Sequence, residues 1–322
     1  MPKVSVLIPV YNAELHLEKC INSVLAQDFK DIEVIVINDG SLDSSLDIIE
    51  KFSTDDRVRI INKSNSGYGA SLNVGLKEAK GEYISIVEAD DFVEKNMLST
   101  LYSDDKHDVI KGGFTFYPQR KKYNINCNNI VTIEDNPEII NCKPSVWSAI
   151  YKKSFLEKNK IQFNETKGAS YQDVSFHFKT LFLASSIKCV DIPLYNYRTD
   201  NLNSSVKSKN KVQAIIREFE SIYGFLENKT LLPEVYAQLI LFELRAYIWN
   251  YKRISKFYEK EFIFLSKDKL NLRKLNFFYN SKYIRIKDKI KLYLYLNHTF
   301  VFMFLLNIIK NYVNKNTQHI IN

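Results

Sequence analysis

The sequence predicts an α/β fold, with a mostly parallel sheet flanked by helices and a mainly α-helical C-terminal region after it. Three observations lead there. Four apolar runs in the first ninety residues are continuous rather than alternating, which suits strands buried on both faces. Helical stripes joined by short loops separate them, the rhythm of parallel βαβ units. Beyond residue 206 the pattern turns helical and glycine nearly vanishes.

The first run, "VSVLIPV" (4–10), is rich in β-branched residues and reads as a buried strand. Leu17, Cys20, Ile21, Val24 and Leu25 then form a helical stripe. "EVIVIND" (33–39) is the second strand, followed by a stripe of Leu46, Ile49 and Phe52. "RVRIIN" (57–62) is the third. Leu72, Leu76 and Ala79 make the next helix, and Gly81 stands where a helix C-terminus usually places one. "EYISIVEAD" (82–90) is the fourth strand. "DVIKGGFTFY" (108–117) and "IKCVDIPLYNYR" (187–198) read as strands, and "SYQDVSFHFKTLFLAS" (170–185) as an amphipathic helix. Residues 144–163 read as a strand or turn and then a short helix.

Length and charge divide the chain. At 322 residues with 45% hydrophobic content, two folded domains are expected, 1–205 and 206–322. The net charge is +8, yet residues 206–322 hold 21 basic and 9 acidic residues. The first part is therefore mildly acidic and the second strongly basic, which implies two different jobs. Cys20, Cys127, Cys142 and Cys189 are scattered without a Cys-x-x-Cys pair; buried free thiols in a reducing compartment are expected. The N-terminal apolar run is too short for a signal peptide. Phe300–Leu306, with Ile308 and Ile309, falls well short of a membrane span.

In a parallel sheet, ligands bind at the carboxyl ends of the strands. Pro9, Tyr11 and Asn12 leave the first strand, Asn38 and Asp39 the second, Asn62 and Asn65 the third, and Glu88, Asp90 and Asp91 the fourth. Three carboxylates within four residues repel one another unless something holds them. Hard cations such as Mn2+ or Mg2+ take one or two carboxylates and draw the rest of their ligands from phosphates and water. The bland reading is a solvated turn that caps the next helix. No P-loop and no Gly-x-Gly-x-x-Gly follows the first strand. A nucleotide would be held by side chains from several strand ends: Asp39 accepting from a base or ribose edge, Tyr11 stacking.

Taken together, "VSVLIPVYNAELHLEKCINSVLAQDFKDIEVIVINDGSLDSS", "NSGYGASLNVGLKEAKGEYISIVEADD" and "GASYQDVSF" resemble glycosyltransferase family 2, with its GT-A fold, over about residues 3 to 205. The resemblance implies transfer of a sugar from a nucleotide-diphosphate donor, most often a UDP-sugar, with inversion at the anomeric carbon. Pro9, Tyr11, Asn12 and Glu14 match the motif bordering the nucleotide. Asp39 matches the aspartate that contacts the base. Asn65 and Asn73 match the asparagines beneath the diphosphate. Glu88-Ala89-Asp90 stands where the family has Asp-x-Asp, so Asp90 and Glu88 are the implied metal site. Asp173 matches the base that activates the acceptor. Two departures stand out: Glu88 is a methylene longer than the usual aspartate, and Leu72 replaces an arginine that contacts phosphate in many relatives.

Bottom-up reasoning adds Arg198 as an anion partner in "YRTDNLNSS" (197–205), beside a purely structural role for it. His177, four residues after Asp173, reads as packed rather than catalytic. The tail from 282 to 315 mixes Lys and Arg with aromatic and aliphatic residues. Ile284, Ile286, Ile290, Leu292, Leu294 and Leu296 are expected to form one apolar face of an interfacial helix on anionic lipid, against a helical subdomain packed on the core. The expected partners are a nucleotide-diphosphate sugar, a glycan or lipid-linked acceptor in building a surface polysaccharide such as capsule or lipopolysaccharide, and an anionic membrane surface. No nucleic-acid module is visible. The expected place is the cytoplasm, peripheral on the inner face of the cell membrane. The rival readings are a non-catalytic sugar-nucleotide or membrane-binding protein and a sugar-1-phosphate nucleotidyltransferase. The latter would want a glycine- and arginine-rich loop after the first strand, where "PVYNAELHL" stands.

Overall fold

The computed structural model describes residues 1–102, 107–125, 130–201, 208–299, 301–303 and 305. Residues 202–205 of the loop discussed above, the tail beyond 305 and Cys127 lie outside them. The chain divides into two compact units, Met1–Lys229 and Thr230–Asn322.

In the first unit, β1 (Val4–Val10), β2 (Ile32–Asn38), β3 (Val58–Asn62) and β4 (Tyr83–Ile86) run parallel in the order β3-β2-β1-β4. All seven residues of β1 are buried, as its unbroken apolar run requires. β3 is the edge strand and is only half-buried. Beyond β4 the sheet becomes mixed. β9 (Ala149–Lys152) lies antiparallel between β4 and β6 (Val109–Tyr117), and β10 (Ile187–Arg198) runs parallel to β6. The short strand β5 (Phe92–Val93) closes the far edge against β10, while β7 (Lys121–Tyr123) pairs with β6 and β8 (Ile130–Val131) with β10.

The helices follow the apolar stripes. α1 (Leu17–Leu25) buries Leu17, Cys20, Ile21 and Val24. α2 (Ser45–Glu50) buries Ile49. α3 (Tyr68–Glu78) packs on β1 and β2 and buries Leu72. α4 (Met97–Leu101) and α5 (Lys153–Lys158) are short, α6 (Gln172–Leu183) carries Asp173 near its start, and α7 (Ala214–Leu226) packs on α6.

Gly81 does not cap α3. The helix ends at Glu78, with Ala79 already extended (ψ 139°). A Cβ on Gly81 would lie 2.5 Å from the Ser5 nitrogen, so glycine is required there by the close approach of β1. The Gly81 N–H donates to Ser5 Oγ at 2.7 Å, and Ser5 Oγ donates to Glu33 at 2.5 Å.

Cys20 and Cys142 are free, but Cys189 is disulfide-bonded, so the expectation of free thiols fails at Cys189.

The second unit contains α8 (Pro233–Tyr251), α9 (Glu259–Asn271), α10 (Leu275–Asn280) and α11 (Ile286–Asn297). Glu243 is fully buried and forms a two-pronged pair with Arg273 at 2.9 and 3.0 Å. In the tail the expected single apolar face does not form. Ile284 and Leu292 are buried, whereas Ile286 and Ile290 are exposed. At about 100° per residue, positions 288, 292 and 295 share one side of the helix, and that side is the one packed inward, with Ile284 buried just before the helix begins. Among the described residues no helix is long and apolar enough to cross a membrane.

Candidate active site

The carboxyl ends of the three adjacent strands β2, β1 and β4 open into a cleft of about 700 Å³. Pro9, Tyr11, Asn12 and Glu14 line it from β1, Asp39 from β2, Asn65 from the loop after β3, and Glu88, Ala89 and Asp90 from the turn after β4. Nine of the twelve residues singled out from sequence therefore meet on one wall system. Asn73, Asp173 and Arg198 are not among the lining residues.

Hydrogen bonds between strand-end loops shape this wall. Asn12 has a left-handed backbone (φ 50°), and its Oδ1 accepts from the Leu42 N–H at 2.8 Å. Its own N–H donates to Ser41 Oγ, and the Ala13 N–H donates to Ser45 Oγ. Glu14 and Asp43 exchange similar bonds with backbone N–H groups across the gap. Asp39 is buried, and its carboxylate accepts from Lys63 Nζ and from the Ser66 and Gly67 N–H groups at 2.9 Å. It thus fixes the start of α3. Gly67 has a φ of 98°, and a Cβ there would meet Thr166 O at 2.6 Å.

The three clustered carboxylates separate by direction. Asp91 is buried and turns away from the cleft: Tyr195 OH donates to it at 2.8 Å and the Arg198 N–H at 2.6 Å. Burial, and then Asp90, push its carboxyl well above the ordinary range. Asp90 stays half-buried on the wall and accepts from Asn201 Nδ2 at 2.9 Å. Glu88 accepts from Tyr68 OH at 2.5 Å. Burial raises Glu88 to about 8 against the opposing Tyr68 bond, with Asp90 and Asp173 adding like charge. Asp173 therefore acts electrostatically on Glu88 although it does not line the cleft. Asp173 is itself raised to about 7, by burial first and then by Glu218.

Asn73 and Arg198 hold structure. Asn73 bonds the Phe163 backbone on both edges and reaches Glu165 at 2.9 Å. Arg198 is buried, and its Nε donates to the Asp90 carbonyl at 2.7 Å. Its guanidinium sits 5.0 Å from the Tyr117 ring centroid. His177 is buried with Cys142 Sγ at 3.8 Å, and burial lowers it to about 3. It is packed and neutral, as expected.

Wall residues that sequence reading missed include His16, Tyr68, Asn201 and Lys211. Tyr68 had a signal, since it sits inside the glycine-rich "SGYG" just after the third strand. Lys211 had none: it lies beyond the last recognisable strand, and its Nζ donates to the Ala169 carbonyl.

Glu88 and Asp90 are the residues that could hold a divalent cation. Glu88 Oε2 and Asp90 Oδ1 accept no hydrogen bond among the described residues, and both are hard oxygen donors on one wall. No group of three or more His, Cys, Asp or Glu side chains converges among the described residues. Such a cation would have to complete its shell with phosphate and water, which is the habit of Mg2+.

The profile of glycosyl transferase family 2 matches residues 5–172. The chain belongs to this family. It is a glycosyltransferase, and the twice-wound β3-β2-β1-β4 half with its mixed extension is GT-A-like. EpsH of Bacillus subtilis is 30% identical over 257 residues, covering 75% of this chain and 74% of EpsH. GlyG, a glycosyltransferase of Streptococcus pneumoniae serotype 4, is 33% identical over 217 residues, covering 61% of this chain and 70% of GlyG. The crystal structure of S. aureus TarS 1–349 in complex with UDP-GlcNAc superposes with a TM-score of 0.68 at 24% identity, over 83% of this chain and 80% of that one. At that identity the likeness speaks for the fold.

Proposed function

We propose that this family 2 enzyme is metal-dependent and inverting, and moves a sugar from a nucleotide diphosphate, a UDP-sugar, to a glycan or lipid-linked acceptor of a surface polysaccharide. The observation that carries this reading is the convergence of Asp39, Glu88 and Asp90 in one cleft, with Asp173 electrostatically coupled to Glu88. Among proteins of similar fold, TarS has been crystallised with UDP-GlcNAc and with UDP, and the mannosyltransferase PcManGT of Pyrobaculum calidifontis with GDP-Man and Mn2+. These support a nucleotide sugar and a cation here.

In this mechanism Asp39 and the Tyr11–Asn12 turn hold the nucleoside, and Asp90 with Glu88 would hold Mn2+ or Mg2+. When bound, the cation would offset charge on the departing diphosphate. Lys211, on the same wall, supplies a positive charge where Leu72 cannot. Asp173 takes the proton of the acceptor hydroxyl. The acceptor oxygen bonds to the anomeric carbon as the carbon–oxygen bond to the diphosphate breaks on the opposite face, inverting the centre. A base raised to about 7 is matched to neutral operation.

The test is a thermal-shift panel of UDP-, GDP-, CMP- and dTDP-sugars with and without Mn2+, since ligands of the native state raise the midpoint. One nucleotide class should stand out and need the cation. Donor hydrolysis should then be lost in Asp90→Ala. Full hydrolysis by that variant, or no stabilisation by any sugar nucleotide, would defeat the proposal.

A further inference from the structure

The outer face of α11 combines exposed apolar side chains with flanking cations, of which Lys287 and Lys289 form no ion pair among the described residues. Ile286, Ile290 and Tyr293 are 76%, 52% and 49% exposed. Their spacing of four and three places them in one stripe, within about 60° of each other around the helix. Lys287 and Lys291 fall on one side of that stripe, Lys289 and Arg285 on the other. The opposite side of the helix is the packed one, through Asp288, Leu292 and Tyr295. Asp288, the helix's one acid, is 2% exposed and is matched by Arg245, Arg285 and Lys291 at 3.6, 3.0 and 3.2 Å. The helix's one acid is thus turned inward, and the outward surface carries cations, apolar groups and, at its C-terminal end, the Asn297 amide. Just before the helix, Tyr283 is exposed and Lys282 lies over its ring at 5.2 Å.

We infer that this face of α11, centred on Ile286, Ile290 and Tyr293 and flanked by Lys287 and Lys289, docks on an anionic lipid surface. Water-facing isoleucines cost free energy that burial at the acyl boundary recovers. Lys and Arg to either side can keep their ammonium and guanidinium groups among headgroup phosphates while their stems lie along the apolar layer. Charge selects lipid over a neutral apolar partner, because Lys287 and Lys289 form no ion pair among the described residues and a neutral partner would offer them no counter-charge. None of these residues lines the cleft, so docking and donor binding are separable.

The experiment is sedimentation of the full-length chain with vesicles of phosphatidylglycerol and phosphatidylcholine, and with phosphatidylcholine alone. The chain should pellet with the mixed vesicles only, and less as salt rises. Lys287→Gln with Lys289→Gln should weaken partitioning roughly 30-fold, from about 1 kcal/mol per surface cation. Ile286→Ser with Ile290→Ser should weaken it as strongly, while donor-induced thermal shifts stay at the wild-type level and certify the fold. Unchanged pelleting in both variants would overturn the inference. So would equal pelleting with both kinds of vesicle. A concentration-dependent dimer that the isoleucine variant disperses would also overturn it, by giving the face to a second copy of the chain.

Discussion

Asn73 grips the backbone of Phe163 on both edges: its Nδ2 donates to the Phe163 carbonyl at 3.0 Å, and its Oδ1 accepts from the Phe163 N–H at 2.9 Å. The Phe163 ring stacks on Phe176 of α6 at 3.9 Å. A residue expected beneath a diphosphate thus ties α3, which starts at the cleft, to the helix that carries Asp173. The segment after Phe163 continues the link. The Asn164 side chain donates to Ser175 of α6 at 3.1 Å and to Glu218 of α7 at 3.0 Å.

This strap lies close enough to α3 to test with one methyl group. A Cβ on Gly69 would sit 2.1 Å from the Asn164 carbonyl oxygen. Gly69→Ala should therefore destabilise by about 1–3 kcal/mol through overpacking, against the roughly 1 kcal/mol that alanine ordinarily gains in a helix. Urea denaturation reads the sign directly. A stabilised Gly69→Ala would show that the strap is free to lift.

Asp173→Asn keeps the size of the side chain and removes the base. Transfer should fall by roughly 10² to 10⁴ while donor affinity, measured by calorimetry, changes little. Near-normal transfer would reduce Asp173 to a helix-start residue. In the wild type, kcat/KM should rise with pH through about 7 as Asp173 loses its proton.

The same residue predicts a stability trend. Its folded pKa lies above its ordinary 3.8. Below about pH 4 the carboxyl is protonated in both states and contributes nothing. As pH rises toward 7 the unfolded chain releases the proton while the native state retains it, so stability falls, and the loss is complete above about 7. Asp173→Asn should accordingly melt higher than wild type at pH 8, with the gap narrowing toward pH 5. A gap that widens on acidification would contradict the raised pKa.

Asp91→Ala should cost stability rather than chemistry. It would leave the Tyr195 hydroxyl and the Arg198 N–H without their acceptor, a loss of roughly 2–5 kcal/mol for two buried donors. A shift in denaturation midpoint of that order is expected, and an unchanged midpoint would mean that the turn is held by other contacts.

Lys211→Ala should weaken donor binding, and the wild-type affinity should decline with salt more steeply than the variant's. Equal affinities would remove Lys211 from the diphosphate site.

The sequence by itself determined the four parallel strands of the N-terminal half and the family, though not the order of the sheet or its antiparallel extension. Continuous apolar runs and helical stripes are local patterns, and "VSVLIPV" is a buried strand wherever it is read. It also determined that Tyr11, Asp39, Glu88 and Asp90 meet, because strand ends in a parallel sheet share an edge. Tertiary structure alone decided what neighbouring side chains do. Glu88, Asp90 and Asp91 look alike in sequence, yet Asp91 leaves the cleft because its partners, Tyr195 and Arg198, lie more than a hundred positions away. Asn73 is spent on Phe163 and Arg198 on the Asp90 carbonyl for the same reason. Gly81 serves β1 rather than α3 because Ser5 packs against it. Such choices are made by hydrogen bonds and contacts between distant segments, and no local period carries them.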